Sequence, residues 1–218
     1  MKTIIITGGN SNLEFIKEYF LKYSFDLIIA VDKGLESLDK FNIKPDLIVG
    51  DFDSVNLNIL KKYENCNTEN NNTKIIKLNP IKDLTDTHEA INLAIEKGAD
   101  EIYVLGGIGS RIDHTIANIH VLKEALDKNT KCTIENENNS IEIINKSISL
   151  KKDENYKYIS LIPLTTVVTE VTLKGFKYEI ENIDLEIGKS LGISNEQIED
   201  NATIEFKEGI LILIKSKD

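Results

Sequence analysis

Apolar and polar positions change rhythm once along this chain. Through residues 1–127, short apolar runs alternate with longer amphipathic stretches. The runs Thr3–Thr7, Leu27–Val31, Asp46–Val49, Lys74–Leu78 and Glu101–Leu105 are nearly continuous in apolar character, as strands buried on both faces are. Between them, Asn12–Lys22, Leu35–Phe41, Asn56–Tyr63, Thr85–Lys97 and Ile112–Asp127 carry helical spacing. Such alternation predicts a mostly parallel sheet with helices on both faces. The polar stretch Glu64–Thr73, with its run Asn70–Asn72, reads as a surface loop.

After Lys128 the period shortens to two. Lys131–Ile134, Ser140–Ile144, Ser147–Lys151, Lys157–Pro163, Val167–Leu173, Phe176–Ile180, Ile183–Ile187, Ala202–Phe206 and Ile210–Lys215 read as short strands separated by turn residues. The expectation is an α/β N-terminal domain with a Rossmann-like sheet over 1–127. An all-β sandwich or jelly-roll-like domain follows over 128–218.

Composition narrows the partners. The 218 residues carry a net charge of −10, which argues against an extended nucleic-acid surface and a polybasic membrane contact. No segment approaches the ~20 apolar residues of a membrane span, and the apolar run near Met1 is too short for a leader. Cys66 and Cys132 have no metal-ligand spacing and read as free thiols of a cytoplasmic protein. Nearly all basic residues are lysine, and Arg111 is the sole arginine. Where lysine serves everywhere else, a single guanidinium marks a position that needs bidentate contact with an anion.

In open parallel sheets, ligands collect beyond the carboxyl ends of the strands. The predicted strands end in Thr7-Gly8-Gly9-Asn10, Asp32-Lys33-Gly34, Gly50-Asp51-Phe52-Asp53 and Gly106-Gly107-Ile108-Gly109-Ser110-Arg111, and the fourth is followed by Lys82-Asp83-Leu84-Thr85-Asp86. Every acidic or glycine-rich cluster of the first domain therefore falls on one edge. Asp51 and Asp53 alternate, so in extended backbone both face one side. Two close carboxylates call for a cation, and Mg²⁺ favours one or two carboxylates plus phosphate oxygens. The competing reading of this pair is a polar turn with an Asx cap. Gly106–Arg111 offers backbone amides and the next helix's N-terminus to a phosphate, although it lacks the Gly-Lys-Ser/Thr ending of a Walker A loop. His114 and Asn118, four apart, share a helix face behind it. Asp83 and Asp86 bracket a helix start, where capping is the competing role. His88 and His120 read as structural.

Taken in order, Asp32-Lys-Gly34, Pro45-Asp-Leu-Ile-Val-Gly-Asp-Phe-Asp-Ser54, Lys82-Asp-Leu-Thr-Asp86 and Gly106-Gly through Arg111, Asp113, His114 and Asn118 resemble the thiamine pyrophosphokinase family. Ser160–Leu164, Gly175-Phe-Lys-Tyr178, Ser194-Asn195 and Gly209–Ile212 extend the resemblance through the second half. It implies transfer of pyrophosphate from ATP to the hydroxyl of thiamine, giving thiamine diphosphate and AMP. By the same resemblance, Asp51, Asp53 and Asp86, with Asp32 and Asp83, organise Mg²⁺ and the triphosphate, the first three as metal ligands. Gly8, Gly9, Lys33, Gly106, Gly107, Arg111, Asp113, His114 and Asn118 would meet ATP. Ser194 and Asn195 would hold thiamine, and the active sites would lie between the subunits of a homodimer. Lys33 stands where many relatives have Gly or Arg. The chain has no tryptophan, whereas some relatives stack one on thiamine. The alternatives are a pyrophosphokinase for another hydroxymethyl heterocycle, such as a pterin, and a non-catalytic nucleotide-binding module.

Overall fold

A computed structural model of the chain describes residues 1–9, 12–64, 73–79, 81 and 83–218. Asn10, Lys82, Cys66 and most of the expected loop at 64–73 lie outside the described residues. The chain divides into two compact units, Met1–Glu137 and Asn138–Asp218.

In the first unit the strands are β1 (Lys2–Ile6), β2 (Leu27–Val31), β3 (Leu47–Gly50), β4 (Lys74–Lys77), β5 (Glu101–Leu105) and β6 (Lys131–Glu135). The helices are α1 (Leu13–Lys22), α2 (Gly34–Lys40), α3 (Leu57–Glu64), α4 (Asp86–Glu96) and α5 (Ile112–Asp127). All six strands pair in parallel, in the order β4-β3-β2-β1-β5-β6. Ile4 and Ile6 pack with Ile16 and Tyr19 of α1, Leu35 and Leu38 of α2, and Leu60 of α3. On the other face α4 packs across β1, β2 and β3, and α5 packs on β6. Both faces are thus covered, which is why the strands read as unbroken apolar runs.

The topology fixes where a ligand belongs. From β1 the chain steps outward through β2 and β3 to β4, then returns across β1 to add β5 and β6. Strand order reverses between β1 and β5, and the helices that follow these two strands pack on opposite faces of the sheet, opening a crevice.

The expectation for 131–134 needs correction. These residues form β6, which pairs in parallel with β5 from Lys131 opposite Glu101 to Glu135 opposite Leu105. The strand therefore belongs to the α/β unit, and the division falls at 137/138 rather than 127/128.

The second unit is an antiparallel β sandwich. Its strands are β7 (Asn139–Ile144), β8 (Ile148–Lys151), β9 (Tyr158–Pro163), β10 (Val167–Lys174), β11 (Ile180–Glu186), β12 (Asn201–Glu205) and β13 (Leu211–Ser216). One layer runs β7-β13-β9 and the other β11-β10-β12-β8. Leu161, Leu211 and Leu213 from the first layer meet Val168, Val171, Leu173 and Ile204 from the second in one core. Alternation along β10 places Val171 and Leu173 inward and leaves Thr172 and Lys174 outside, the sandwich pattern. Phe176–Ile180, expected as a strand, is a turn. Phe176 is core and only 1% exposed, and pairing with β10 resumes at Ile180.

Candidate active site

A cavity of about 420 Å³ lies at the β1/β5 switch point. Its floor is two glycine turns. Thr7 continues β1, its N–H bonding the Leu105 carbonyl at 2.8 Å, and Gly8 and Gly9 follow. A Cβ on Gly9 would lie 2.0 Å from the Gly106 carbonyl oxygen, so no other residue allows the two loops to approach so closely. Gly106 takes a left-handed φ of 82°, and α5 begins after the turn. Arg111 at its N-cap position makes no side-chain cap. The Asn118 side chain, buried one turn behind His114, donates to the Gly107 carbonyl at 2.8 Å. Gly8, Gly9, Gly106, Gly107, Arg111, His114 and Asn118 all line the cavity, so His114 and Asn118 share the face their spacing predicts.

The guanidinium is held ready. Arg111 Nη2 donates to Asp113 Oδ2 at 2.6 Å, and Nε to Oδ1 at 3.3 Å. Asp113 does not line the cavity; it grips the residue that does. The grip holds the Asp113 carboxyl below the usual carboxylate range and raises the guanidinium further. Both side chains are about two-thirds exposed, so the pair is weak and open to exchange with a stronger anion.

Two further edges contribute acids and a cation. Asp32 follows β2 with φ 46°, its N–H bonding the Val49 carbonyl at 3.1 Å. Its carboxylate lies over Gly50, where a Cβ would meet Asp32 Oδ1 at 2.0 Å. Lys33 precedes α2, and Gly34 lets that helix pass over the end of β1, since a Cβ there would lie 1.9 Å from the Ile6 carbonyl. Thr85 caps α4 by accepting from the His88 N–H at 3.3 Å. Asp86 then sits in the first turn, and Asp32, Lys33 and Asp86 all reach the cavity.

Asp51 and Asp53 are placed differently from expectation. β3 stops at Gly50, and Phe52 adopts φ 65° while burying its ring. The backbone is therefore not extended, and the alternate-residue convergence does not operate. Asp51 Oδ1 instead accepts from the Asp53 N–H at 3.1 Å, an Asx turn. Asp51 stays half-buried and Asp53 exposed, and the cavity is reached by Ser54. Asp83 is exposed, ahead of α4, and also outside the cavity wall. Among the described residues, no three acidic, histidine or cysteine side chains gather closely enough to hold a metal by themselves.

His88 bridges helices instead of meeting ligand. Its Nε2 lies 2.7 Å from Glu124 Oε2, joining α4 to α5. Sequence reasoning missed the hydroxyls on the wall, at Thr7, Ser54, Thr85, Thr87 and Ser110. Their only signal is adjacency to glycines or acids already singled out.

Ser194 and Asn195 lie in the second unit. Ser194 is exposed with φ 57°, and its N–H donates to Ser160 Oγ at 3.0 Å. The Asn195 carboxamide is spent on backbone. Its Oδ1 accepts from the Tyr178 N–H at 3.0 Å and the Glu196 N–H at 2.9 Å, and its Nδ2 donates to the Tyr178 carbonyl at 2.8 Å.

Glycine turns, helix N-termini, a guanidinium, an ammonium and carboxylates around one switch-point cavity define a protein that handles nucleotide phosphates. Comparison with known proteins narrows that class. The family model described as thiamin pyrophosphokinase, catalytic domain, matches residues 20–134, and that described as thiamin pyrophosphokinase, vitamin B1 binding domain, matches 145–211. The chain is 37% identical to the thiamine pyrophosphokinase of Bacillus subtilis (strain 168), with all of both chains covered. It is 28% identical to thiamin pyrophosphokinase 1 of Caenorhabditis elegans over 78% of this chain and 70% of that one. The crystal structure of thiamine pyrophosphokinase from Bacillus subtilis superposes with a TM-score of 0.88 at 35% identity over 100% of each chain. Yeast thiamin pyrophosphokinase reaches 0.80 at 19% identity, covering 99% of this chain and 86% of that one, which shows the shared fold. The chain belongs to the thiamine pyrophosphokinase family.

Proposed function

We propose that this chain transfers a pyrophosphoryl group from ATP to the hydroxyl of thiamine, with the switch-point cavity as the triphosphate site. The observation that carries this reading is the joining of the Gly8-Gly9 and Gly106-Gly107 turns, Lys33, Arg111, Asp32 and Asp86 on one wall. For the products to be thiamine diphosphate and AMP, the hydroxyl oxygen attacks the β-phosphorus. The bond from that phosphorus to the α,β-bridging oxygen breaks, AMP departs with that oxygen, and the hydroxyl proton passes to a base. Such transfers need alignment and charge neutralisation more than covalent help. Backbone amides at the glycine turns and the α5 N-terminus meet phosphate oxygens. Arg111 exchanges its exposed Asp113 for a bidentate phosphate contact.

Mg²⁺ is part of the proposal. It requires only one or two carboxylates when phosphates complete its shell, and Asp32, packed over Gly50 and reaching the cavity, with Asp51 the next residue along the chain from that glycine, fits that requirement. Asp53, Asp83 and Asp86 are the remaining acids of this edge. Bound there, the ion would neutralise charge developing on the phosphates. Exposed Ser194 presents its hydroxyl to thiamine in this reading, and Asn195 acts by shaping the turn. A homodimer is supported by the exposed apolar side chains of the second unit, Ile183, Ile187, Leu191 and Ile193, and active sites shared between its subunits follow from the resemblance. No helix among the described residues is long and apolar enough to cross a membrane, and the free thiol of Cys132 accords with the reducing cytoplasm.

The test is incubation of the pure protein with ATP, Mg²⁺ and thiamine, with products separated by chromatography. Thiamine-dependent AMP and thiamine diphosphate are expected. ADP in place of AMP would sink pyrophosphoryl transfer, and turnover with a hydroxymethyl pterin alone would move the acceptor. Sedimentation velocity at micromolar protein tests the dimer, which a monomeric boundary refutes.

A further inference from the structure

Thr7 is a buried hydroxyl on a strand of isoleucines. The run Ile4-Ile5-Ile6 precedes it with 0% exposure at each position, and Thr7 itself is 6% exposed. A buried hydroxyl is costly unless it is hydrogen-bonded, and here its partner is specific. Oγ1 donates to the Gly106 carbonyl at 2.9 Å. One residue on, the Gly107 carbonyl receives the Asn118 Nδ2 at 2.8 Å. Both consecutive carbonyls of the turn are therefore tied by side-chain donors, and Thr7, Gly106, Gly107 and Asn118 all border the cavity.

The arrangement has an electrostatic consequence. A carbonyl oxygen is the negative end of the peptide dipole, and a triphosphate nearby would be repelled by it. Gly106 has φ 82°, a region glycine enters freely, so its flanking peptides are not held by side-chain sterics. Peptide planarity couples the Gly106 carbonyl to the Gly107 N–H, which points the opposite way. Fixing the carbonyl fixes the amide.

We propose that Thr7 is a positioning residue for the nucleotide phosphates: its hydroxyl locks the Gly106 carbonyl and thereby presets the Gly106–Gly107 peptide for an anion. This rests on the reading of the cavity as the ATP site. Preorganisation of this kind acts on affinity, because the loop is not ordered at the ligand's expense. Thr7 acts on the donor nucleotide and leaves thiamine untouched.

The experiment measures ATP binding calorimetrically with Mg²⁺ and without thiamine, beside steady-state kinetics and the unliganded melting temperature. Thr7→Val removes the hydroxyl and retains the branched shape. It is expected to weaken ATP binding about tenfold, the scale of one lost hydrogen bond with its acceptor stranded. KM for thiamine stays at the wild-type value. Thr7→Ser restores ATP affinity to within about twofold of wild type, because the donor returns. Thr7→Ala supplies the same reading should valine not be accommodated. Unchanged ATP affinity in the folded Val or Ala variant overturns the role of Thr7, as does a melting shift with affinity intact. Failure of serine to restore binding also overturns it. Failure of the wild type to bind ATP overturns the reading of the cavity itself, a result separable from the others.

Discussion

Replacing Asn195 separates two roles a polar residue can have beside a binding site. Its carboxamide makes three hydrogen bonds to backbone, at 2.8, 2.9 and 3.0 Å, and the residue is 5% exposed. Its own backbone pairs with Ile159 in both directions, so the side chain straps the Tyr178 turn to β9. Each hydrogen bond contributes about 1 kcal/mol net, and more when a buried partner is left unsatisfied. Asn195→Ala strands Tyr178 N–H, Tyr178 C=O and Glu196 N–H together. The sum is about 3 kcal/mol, though bonds from one group are not strictly additive. For a chain of this length each kcal/mol moves the melting temperature by roughly 2–4 °C, so a fall of about 6–12 °C is expected.

Asn195→Asp sharpens the test. It keeps the acceptor for two N–H groups, but turns a carboxylate oxygen toward the Tyr178 carbonyl where an amide donated. Its loss should equal or exceed that of alanine, because a charge is then desolvated against a like-signed dipole. Calorimetry and urea unfolding by circular dichroism are the assays. With two compact units the unfolding can resolve into two transitions, and the effect should fall on the one belonging to Asn138–Asp218. Melting within about 2 °C of wild type, together with a raised KM for thiamine, would refute the strap and return the carboxamide to direct ligand contact.

Other perturbations probe the first unit. Asp53 is exposed and belongs to the acidic edge of the proposed metal site, so Asp53→Asn should leave stability within about 0.5 kcal/mol while lowering turnover at least about tenfold; wild-type rates would remove Asp53 from the reaction. Arg111→Lys should raise KM for ATP by about tenfold, since lysine offers a point charge where the fork binds bidentately; unaltered ATP kinetics would make the lone arginine an accident of composition. The Arg111 grip depresses the Asp113 pKa, so its contribution is present above the unfolded carboxyl value and lost as pH falls through the folded one. Stability by urea unfolding should therefore fall less steeply with acid in Asp113→Asn below about pH 4, and an identical fall would exclude the pair. Burial pushes the Cys132 thiol up to about 12, so at pH 8 it should resist alkylation until the protein is unfolded; native labelling located at Cys132 by peptide mapping would contradict that burial.

Much of the first unit was legible because local signals and tertiary structure agree. Apolar runs located β1, β2, β3, β4 and β5 to within a residue or two at each end. The glycines at their carboxyl ends, with Asp32 and Asp86, marked the edge where the cavity lies. β6 was misassigned because a four-residue alternation does not say which strand will pair with it. The parallel partner, β5, lies 30 residues away, with Lys131 opposite Glu101. Phe176–Ile180 read as a strand for the same reason. Alternation there serves a turn that buries Phe176 and hands the Tyr178 backbone to Asn195. Asn195 was expected at thiamine by resemblance alone, and a sequence does not show which backbone groups take up its carboxamide.

The Asp51-Phe52-Asp53 segment shows how one apolar residue can redirect two charged ones. The convergence argument needed extended backbone at Phe52. Yet Phe52 joins the core with Ile48, Val55 and Leu60, and reaching it requires φ 65°. An aromatic ring gains on the order of 2 kcal/mol from burial, about what a non-glycine residue spends in the left-handed region, so the core can hold that strain. The turn then engages Asp51 with the Asp53 N–H, and the Asx cap weighed at the outset is what forms. The carboxylate packed over Gly50 is that of Asp32. Of the acids of this edge, Asp32 and Asp86 reach the cavity, and they come from the end of β2 and the start of α4 instead of from one motif.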